Sequence, residues 1–151
     1  MRRVEMLLGR RDPTTLTAKL LMEDTVVTCS RQTSAVSVAM RLCDGRFGSI
    51  PIVEEDRTLS GLVSEFDLLK VLKEQKDLRT VTAEEIMTQK VISATEDTSF
   101  TALIELMQSH HLIRLPVLRG QTLVGVVSRR DILYGYLLAS FRHEHEDQST
   151  Q

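Results

Sequence analysis

Apolar and polar positions along this chain follow two periods, and the order of those periods occurs twice. Val26, Val27 and Cys29, and later Val91, Ile92 and Ala94, sit in short β-branched-rich runs that predict strands over 26–29 and 91–94. Thr33 and Thr98 follow as helix N-caps. Beyond Thr33 the apolar residues fall at Ala35, Val38, Ala39 and Leu42; beyond Thr98 they fall at Phe100, Leu103, Ile104 and Met107. That spacing is one face of a helix. Asp44 and Gly45 stop the first helix, and the second ends near His110 and His111. Next come strands carrying Pro51 and Pro116. Proline cannot donate to a ladder, so these strands are expected at sheet edges, or with the proline at an unpaired position. Short turns at 54–57 and 119–121 lead into third strands over 59–64 and 122–128. Final helices are predicted over 65–73 and 129–141.

The two halves superpose when the chain is slid by 65 residues, falling to 64 after the turn. Met22 then lies over Met87, Ile50 and Pro51 over Leu115 and Pro116, and Gly61, Ser64 and Asp67 over Gly125, Ser128 and Asp131. Each half reads β-α-β-β-α, and a unit of about 50 residues has little core of its own. The expected fold is α+β, of the α/β type, with two such repeats packed in pseudo-twofold symmetry. Expected segments are an N-terminal extension over 1–17, read as a short helix broken near Asp12 and Pro13, a first repeat over 18–74, and a second over 82–141. A polar connection covers 73–82, and Thr82 with Glu85 has the spacing of a capping box. The tail over 142–151, without an apolar residue beyond His143, is expected to be disordered. A cleft between packed repeats is a preferred place for a ligand.

Composition narrows the function. The chain has 151 residues, 19 Lys and Arg against 21 Asp and Glu, and a net charge of −2. That balance disfavours a nucleic-acid footprint, which needs a basic face. Aromatic residues make up 4% and Trp is absent, which disfavours a base-stacking platform. Arg2, Arg3, Arg10 and Arg11 form the single basic cluster that bears on nucleic acid. No apolar run approaches the roughly 20 residues of a membrane helix, and the N-terminus lacks the pattern of a secretory signal, so a cytoplasmic location is expected. Cys29 and Cys43 lie in apolar-periodic segments and read as two buried, reduced thiols. His143 and His145 lack fixed partners for a metal cage, and no metal site is expected. Ser/His/Asp, zinc, Walker and Rossmann signatures are absent, so the chain does not read as an enzyme.

The informative element is Gly-x-x-Ser-x-x-Asp, at 61–67 and again at 125–131. Each copy ends a strand and opens a helix. Ser at the cap with Asp three residues on is nearly a capping box. The same atoms suit a ligand. A helix N-terminus offers amide donors to phosphate, the glycine allows close approach, and the aspartate accepts from a ribose diol. From the residues alone both readings stand.

Taken together with Leu21-Met22 and Ile86-Met87, and with Ile50-Pro51-Ile52-Val53 and Leu115-Pro116-Val117, the two motifs resemble a tandem pair of CBS domains (the cystathionine β-synthase type), or Bateman module, over about 18–136. The resemblance implies a regulatory module with an adenine nucleotide (AMP, ADP or ATP) as ligand and no obligatory cofactor. Asp67 and Asp131 would hold ribose and Ser64 and Ser128 would contact phosphate. Val27, Thr28, Ile50 and Pro51 would line one base pocket, and Ile92, Ser93, Leu115 and Pro116 the other. Arg129 and Arg130 follow Ser128 where Glu65 and Phe66 follow Ser64, so the Ser128 site is expected to bind phosphate better, with Arg114 nearby. The resemblance also implies a homodimer and an unidentified regulated protein. Leu68, Leu69, Val71 and Leu72, with Ile132, Leu133, Tyr136 and Leu137, are candidate dimer faces or internal core. A structural interaction domain that binds no nucleotide is the rival reading. The choice among AMP, ATP, S-adenosylmethionine, NAD and a cyclic dinucleotide is open.

Overall fold

The local signals build most of the elements where they are expected, in a computed structural model that describes residues 12–147. Asp12 accepts the Thr14 amide at 2.9 Å and caps a 3-10 turn over Pro13–Thr15. The part of the expected N-terminal helix before Asp12 lies outside the described residues. The elements that follow are α1 (Ala18–Leu21), α2 (Ala35–Gly45), β1 (Ser49–Val53), β2 (Leu59–Ser64) and α3 (Glu65–Lys73). The series then repeats as α4 (Ala83–Ile86), β3 (Ala94–Thr95), α5 (Phe100–Ser109), β4 (Arg114–Arg119), β5 (Thr122–Ser128) and α6 (Arg129–Asp147). β1 and β2 pair antiparallel, and the other three strands lie in the order β3-β4-β5. The fold is α+β.

Several expectations shift for identifiable reasons. The runs at 26–29 and 91–94 are not full strands. Cys29 alone pairs, in one parallel bridge with Ile52, and β3 covers only Ala94 and Thr95. A β-branched run makes extended backbone, but a strand also needs a neighbour along its length. The helix caps are Ser34 and Ser99, not Thr33 and Thr98. Each threonine instead closes the preceding turn. Thr33 Oγ1 accepts the Ser30 amide at 3.0 Å, and Thr98 Oγ1 accepts the Thr95 amide at 2.9 Å. α6 runs past Phe141 to Asp147, through part of the segment expected to be disordered. Once nucleated, a helix extends at little cost where neither Gly nor Pro intervenes. The rest of that tail lies outside the described residues. Cys29 is buried but Cys43 is exposed, because α2 turns Val38 and Leu42 inward and the next residue outward.

The prolines meet the ladder without losing a bond. Pro51 stands opposite Leu62, whose amide and carbonyl are both committed to Thr88, at 3.0 and 2.9 Å. No donor is needed from Pro51 on that side, and its carbonyl accepts the Cys29 amide at 3.0 Å. Pro116 lies in the middle strand of its sheet, so the edge expectation fails there; pairing with β3 begins one residue later, at Val117.

Spatial grouping departs from sequence order. Residues 27–92 with 121–123 form one compact unit; of the described residues, 12–26, 93–120 and 124–147 form the other. The segment leading into each repeat therefore belongs with the other repeat's hairpin. In the first unit Ala83 donates to Thr33 O at 2.8 Å; in the second Ala18 donates to Thr98 O at 2.9 Å, and Glu23 and Val126 exchange two bonds of 2.9 Å. Val38, Leu42, Ile50, Ile52 and Val63 form the first core. Leu16, Leu21, Leu103, Leu115, Val117 and Val127 are buried in the second unit. Among the described residues, no helix is long and apolar enough to cross a membrane.

Candidate ligand sites at two Ser/Asp turns

Both motifs fold into closed capping boxes. Asp67 Oδ2 accepts the Ser64 amide at 2.8 Å and the Ser64 hydroxyl at 3.0 Å, and Ser64 Oγ accepts the Asp67 amide at 3.2 Å. In the second unit Asp131 Oδ2 accepts the Ser128 amide at 2.8 Å, and Ser128 Oγ accepts the Asp131 amide at 3.1 Å. Asp131 is only 7% exposed, while Asp67 is half-buried. The residue after each serine is fixed as well. Glu65 donates to Gly48 O at 3.1 Å, and Arg129 donates to Ile113 O at 3.0 Å. Two of the first three amide donors of each helix are therefore engaged, so the helix ends are less open to an anion than the motif implied.

The glycines are explained by the protein itself. A Cβ on Gly61 would lie 2.6 Å from Met87 Sδ and 2.9 Å from Thr88 O; one on Gly125 would lie 2.5 Å from Met22 Sδ and 2.9 Å from Glu23 O. The small residue admits the methionine and the backbone edge of the docked leader segment. The linkage of Gly61 to Met87 and of Gly125 to Met22 was invisible in sequence, because each motif's partner lies in the other repeat.

The remaining candidates divide by exposure. Sheet order brings the first set to one end of the first unit. Cys29 bridges Ile52 in parallel, so Val27 and Thr28 run toward the start of β1, where Ser49 faces Ser64 at the end of β2. Val27 is 42% exposed and Thr28 half-buried, but Ile50 has no accessible surface and Pro51 is buried. In the second unit Ser93 is half-buried just before β3, whereas Leu115 has no accessible surface and Pro116 is buried. Ile50, Pro51, Leu115 and Pro116 are thus buried, while Val27, Thr28 and Ser93 keep accessible surface. Ile92, half-buried, ends the 27–92 segment of the first unit. Arg129 and Arg130 are exposed. Sequence reading missed Arg41, which donates to Thr28 O at 2.6 Å and contacts Cys29 Sγ at 3.4 Å. It holds the extended segment from the outer face of α2, where periodicity carries no signal. Burial raises the Cys29 thiol pKa, and the Arg41 charge opposes that shift. Among the described residues, no three or more His, Cys, Asp or Glu side chains converge where a metal ion could sit.

Comparison with known proteins places the chain. The CBS domain family model matches residues 18–74 and again 83–137. The uncharacterized protein YlbB of Bacillus subtilis is 33% identical over 115 residues, 76% of this chain and 78% of that protein. Two solved structures are similar. Hypoxic Response Protein I, with two coordinated zinc ions, has a TM-score of 0.71 at 26% identity, covering 80% of this chain and 98% of that one. The CBS domain pair of protein MJ0100, in complex with 5′-methylthioadenosine and S-adenosyl-L-methionine, has a TM-score of 0.70 at 29% identity, covering 80% and 97%. The chain belongs to the CBS domain family and contains a CBS domain pair.

Proposed function

We propose that this chain is a regulatory, non-catalytic module that binds an adenosine-containing ligand of the AMP, ADP or ATP class and signals through a homodimer or a partner protein. The observation that carries this is the twofold recurrence of an aspartate fixed by its own serine beside an extended, partly exposed segment. A carboxylate has about four acceptor positions, and the two bonds from Ser64 leave Asp67 capacity for a ribose diol. Because both carboxylates are oriented before a ligand arrives, little ordering is spent on binding. The similar MJ0100 pair holds two adenosine compounds, which supports the class and not the phosphate. The exposed faces of α3 and α6 support self-association. The free thiols of Cys29 and Cys43 support a reducing, cytoplasmic compartment.

Thermal melts with AMP, ADP, ATP and S-adenosylmethionine test the reading. A ligand at about 100 times its Kd adds about 2.7 kcal/mol to a native state it binds alone, a shift of several degrees for a domain this size. The expected result is a shift with at least one compound that is lost in Asp131→Ala or Asp67→Ala but kept in Arg79→Ala, whose guanidinium pairs with the neighbouring Asp77. A folded, dimeric protein that no compound stabilises would instead be a structural interaction domain.

A further inference from the structure

The two leader segments dock through one backbone pattern. On the second unit Ala18 donates to Thr98 O at 2.9 Å, Lys19 to Glu96 O at 3.0 Å and Phe100 to Leu16 O at 2.9 Å, and Glu23 and Val126 exchange two bonds of 2.9 Å. On the first unit Ala83 donates to Thr33 O at 2.8 Å, Glu84 to Arg31 O at 3.0 Å and Ala35 to Val81 O at 2.7 Å, and Thr88 and Leu62 exchange bonds of 2.9 and 3.0 Å. Main-chain bonds this similar do not distinguish residues 16–23 from residues 81–88. Discrimination falls to the side chains, and these differ. α6 has Gly135 where α3 has Val71. A Cβ on Gly135 would overlap Leu21 Cδ2 and stand 3.6 Å from Leu16 Cδ1, and both leucines are buried. The other leader has Ile86 and the smaller Val81 at those positions, and with Val71 they line a hollow of about 280 Å³. Half-buried Leu20 is matched by Glu85, whose carboxylate accepts the Thr82 amide at 3.3 Å. Lys19 is matched by Glu84, which pairs with Arg31 at 3.0 Å. The position of Arg31 is taken in the second unit by Glu96, which pairs with Arg119 at 2.7 Å.

We propose that the leaders are keyed to separate grooves by side-chain size and by charge, so that the second unit takes residues 16–23 and rejects residues 81–88, and the first unit does the reverse. Residues 81–88 laid on the second unit would leave the space over Gly135 open, which costs packing. They would also set the Glu85 carboxylate in the half-buried place of Leu20, and Glu84 beside Glu96. Residues 16–23 laid on the first unit would lose the Glu85 cap and set Lys19 beside Arg31. Size acts mainly at the second groove, because the hollow beside Val71 has room for a larger side chain; charge acts at both. Such specificity rests on repulsion as much as on attraction. Residues 16–23 run on into Val27 and Thr28, and residues 81–88 into Ile92 and Ser93. The key therefore fixes where each of those extended segments begins.

Amide hydrogen exchange in the full chain tests this. Ala18 and Phe100 report the second groove, and Ala83 and Ala35 report the first. A chain with exchanged leaders carries Leu16→Val, Lys19→Glu, Leu20→Glu, Leu21→Ile and Glu23→Thr together with Val81→Leu, Glu84→Lys, Glu85→Leu, Ile86→Leu and Thr88→Glu, and keeps the wild-type composition. Its protection at all four amides is expected to fall at least tenfold. Lys19→Glu alone, an exposed change that spares the core, is expected to lower protection at Ala18 and Phe100 about two- to fivefold and to leave Ala83 and Ala35 unaltered. Gly135→Val is expected to lower protection at Ala18 and Phe100. Adding Leu16→Val with Leu21→Ile should restore part of that loss, although the same pair lowers protection when Gly135 is present. Wild-type protection in the exchanged chain, no loss with Lys19→Glu, or a leucine pair that costs the same with Gly135 and with Gly135→Val overturns the keying.

Discussion

At Gly61 and Gly125 a sulfur and a carbonyl occupy the space where a side chain would begin. Met87 and Met22 can swing away, but Thr88 O and Glu23 O are backbone atoms held in paired bridges. Gly61→Ala and Gly125→Ala are each expected to destabilise the chain by about 1–3 kcal/mol, as overpacking does, read from urea midpoints. Adding Met87→Ala to Gly61→Ala should not restore the loss, because the carbonyl clash persists. The serines give a smaller effect. Ser128→Ala removes a cap and should cost about 1 kcal/mol, a loss that appears with or without ligand. The cap spacing of Ser64 with Asp67 and Ser128 with Asp131 was legible in the sequence, because it is local. What presses on each glycine was not, because it comes from the other repeat.

The elements show the same division between local and distant signals. α2 and α5 were legible from their apolar period, and their caps slipped by one residue because threonine and serine compete for the same turn. Where each leader segment docks was not legible, although the charges mark it. In the first unit Arg31 contacts Glu54 and, at 3.0 Å, Glu84, while the Glu84 amide bonds to Arg31 O at 3.0 Å. In the second unit the matching residues are inverted. Glu96 pairs with Arg119 at 2.7 Å, and the Lys19 amide bonds to Glu96 O at 3.0 Å. Each leader carries the sign that suits its own unit and would repel in the other. Lys19→Glu and Glu84→Lys are each expected to lower the melting temperature by a degree or two, since exposed pairs are weak; adding Glu96→Arg and Arg119→Glu to Lys19→Glu, which installs the charges of the first unit, should recover part of it. The Glu54 pKa is lowered, first by the Ser60 hydroxyl and then by Arg31. Its folded value lies below its unfolded value, so its contribution is present above the unfolded pKa of about 4.3 and is lost as pH falls through the folded one. Glu54→Gln should therefore flatten the acid limb of the stability curve and leave the chain unaltered in pH response above about pH 6.

For the whole molecule, the open question is what covers the outer faces of α3 and α6. Of the candidate dimer residues, Leu68, Val71 and Ile132 are buried in their own units, which fixes the inner face of each helix. Leu69 and Leu72 on α3, and Leu133, Tyr136 and Leu137 on α6, remain exposed, with Leu69 at 55% and Leu133 at 63%. Leu69 matches Leu133 and Leu72 matches Tyr136 in the internal repeat, so the same stripe is presented twice. Beside Leu69 and Leu72 lies an apolar hollow of about 460 Å³, reaching Ala39, Leu42 and Phe47. A repeated stripe suits a second copy of the chain, because a two-fold interface is built from one patch meeting itself. Each leucine covered adds about 1.5–3 kcal/mol, and a charge at the centre of such a face is left buried without a partner. Leu69→Glu with Leu133→Glu is therefore expected to weaken association at least 100-fold and to halve the mass read by light scattering at micromolar concentration, with the circular dichroism spectrum unchanged. Lys70→Glu, one residue from the stripe, should leave the mass as it was. A wild type that is already monomeric, or a double variant that keeps the wild-type mass, would remove the homodimer from the proposed function and leave any signal to pass through another protein.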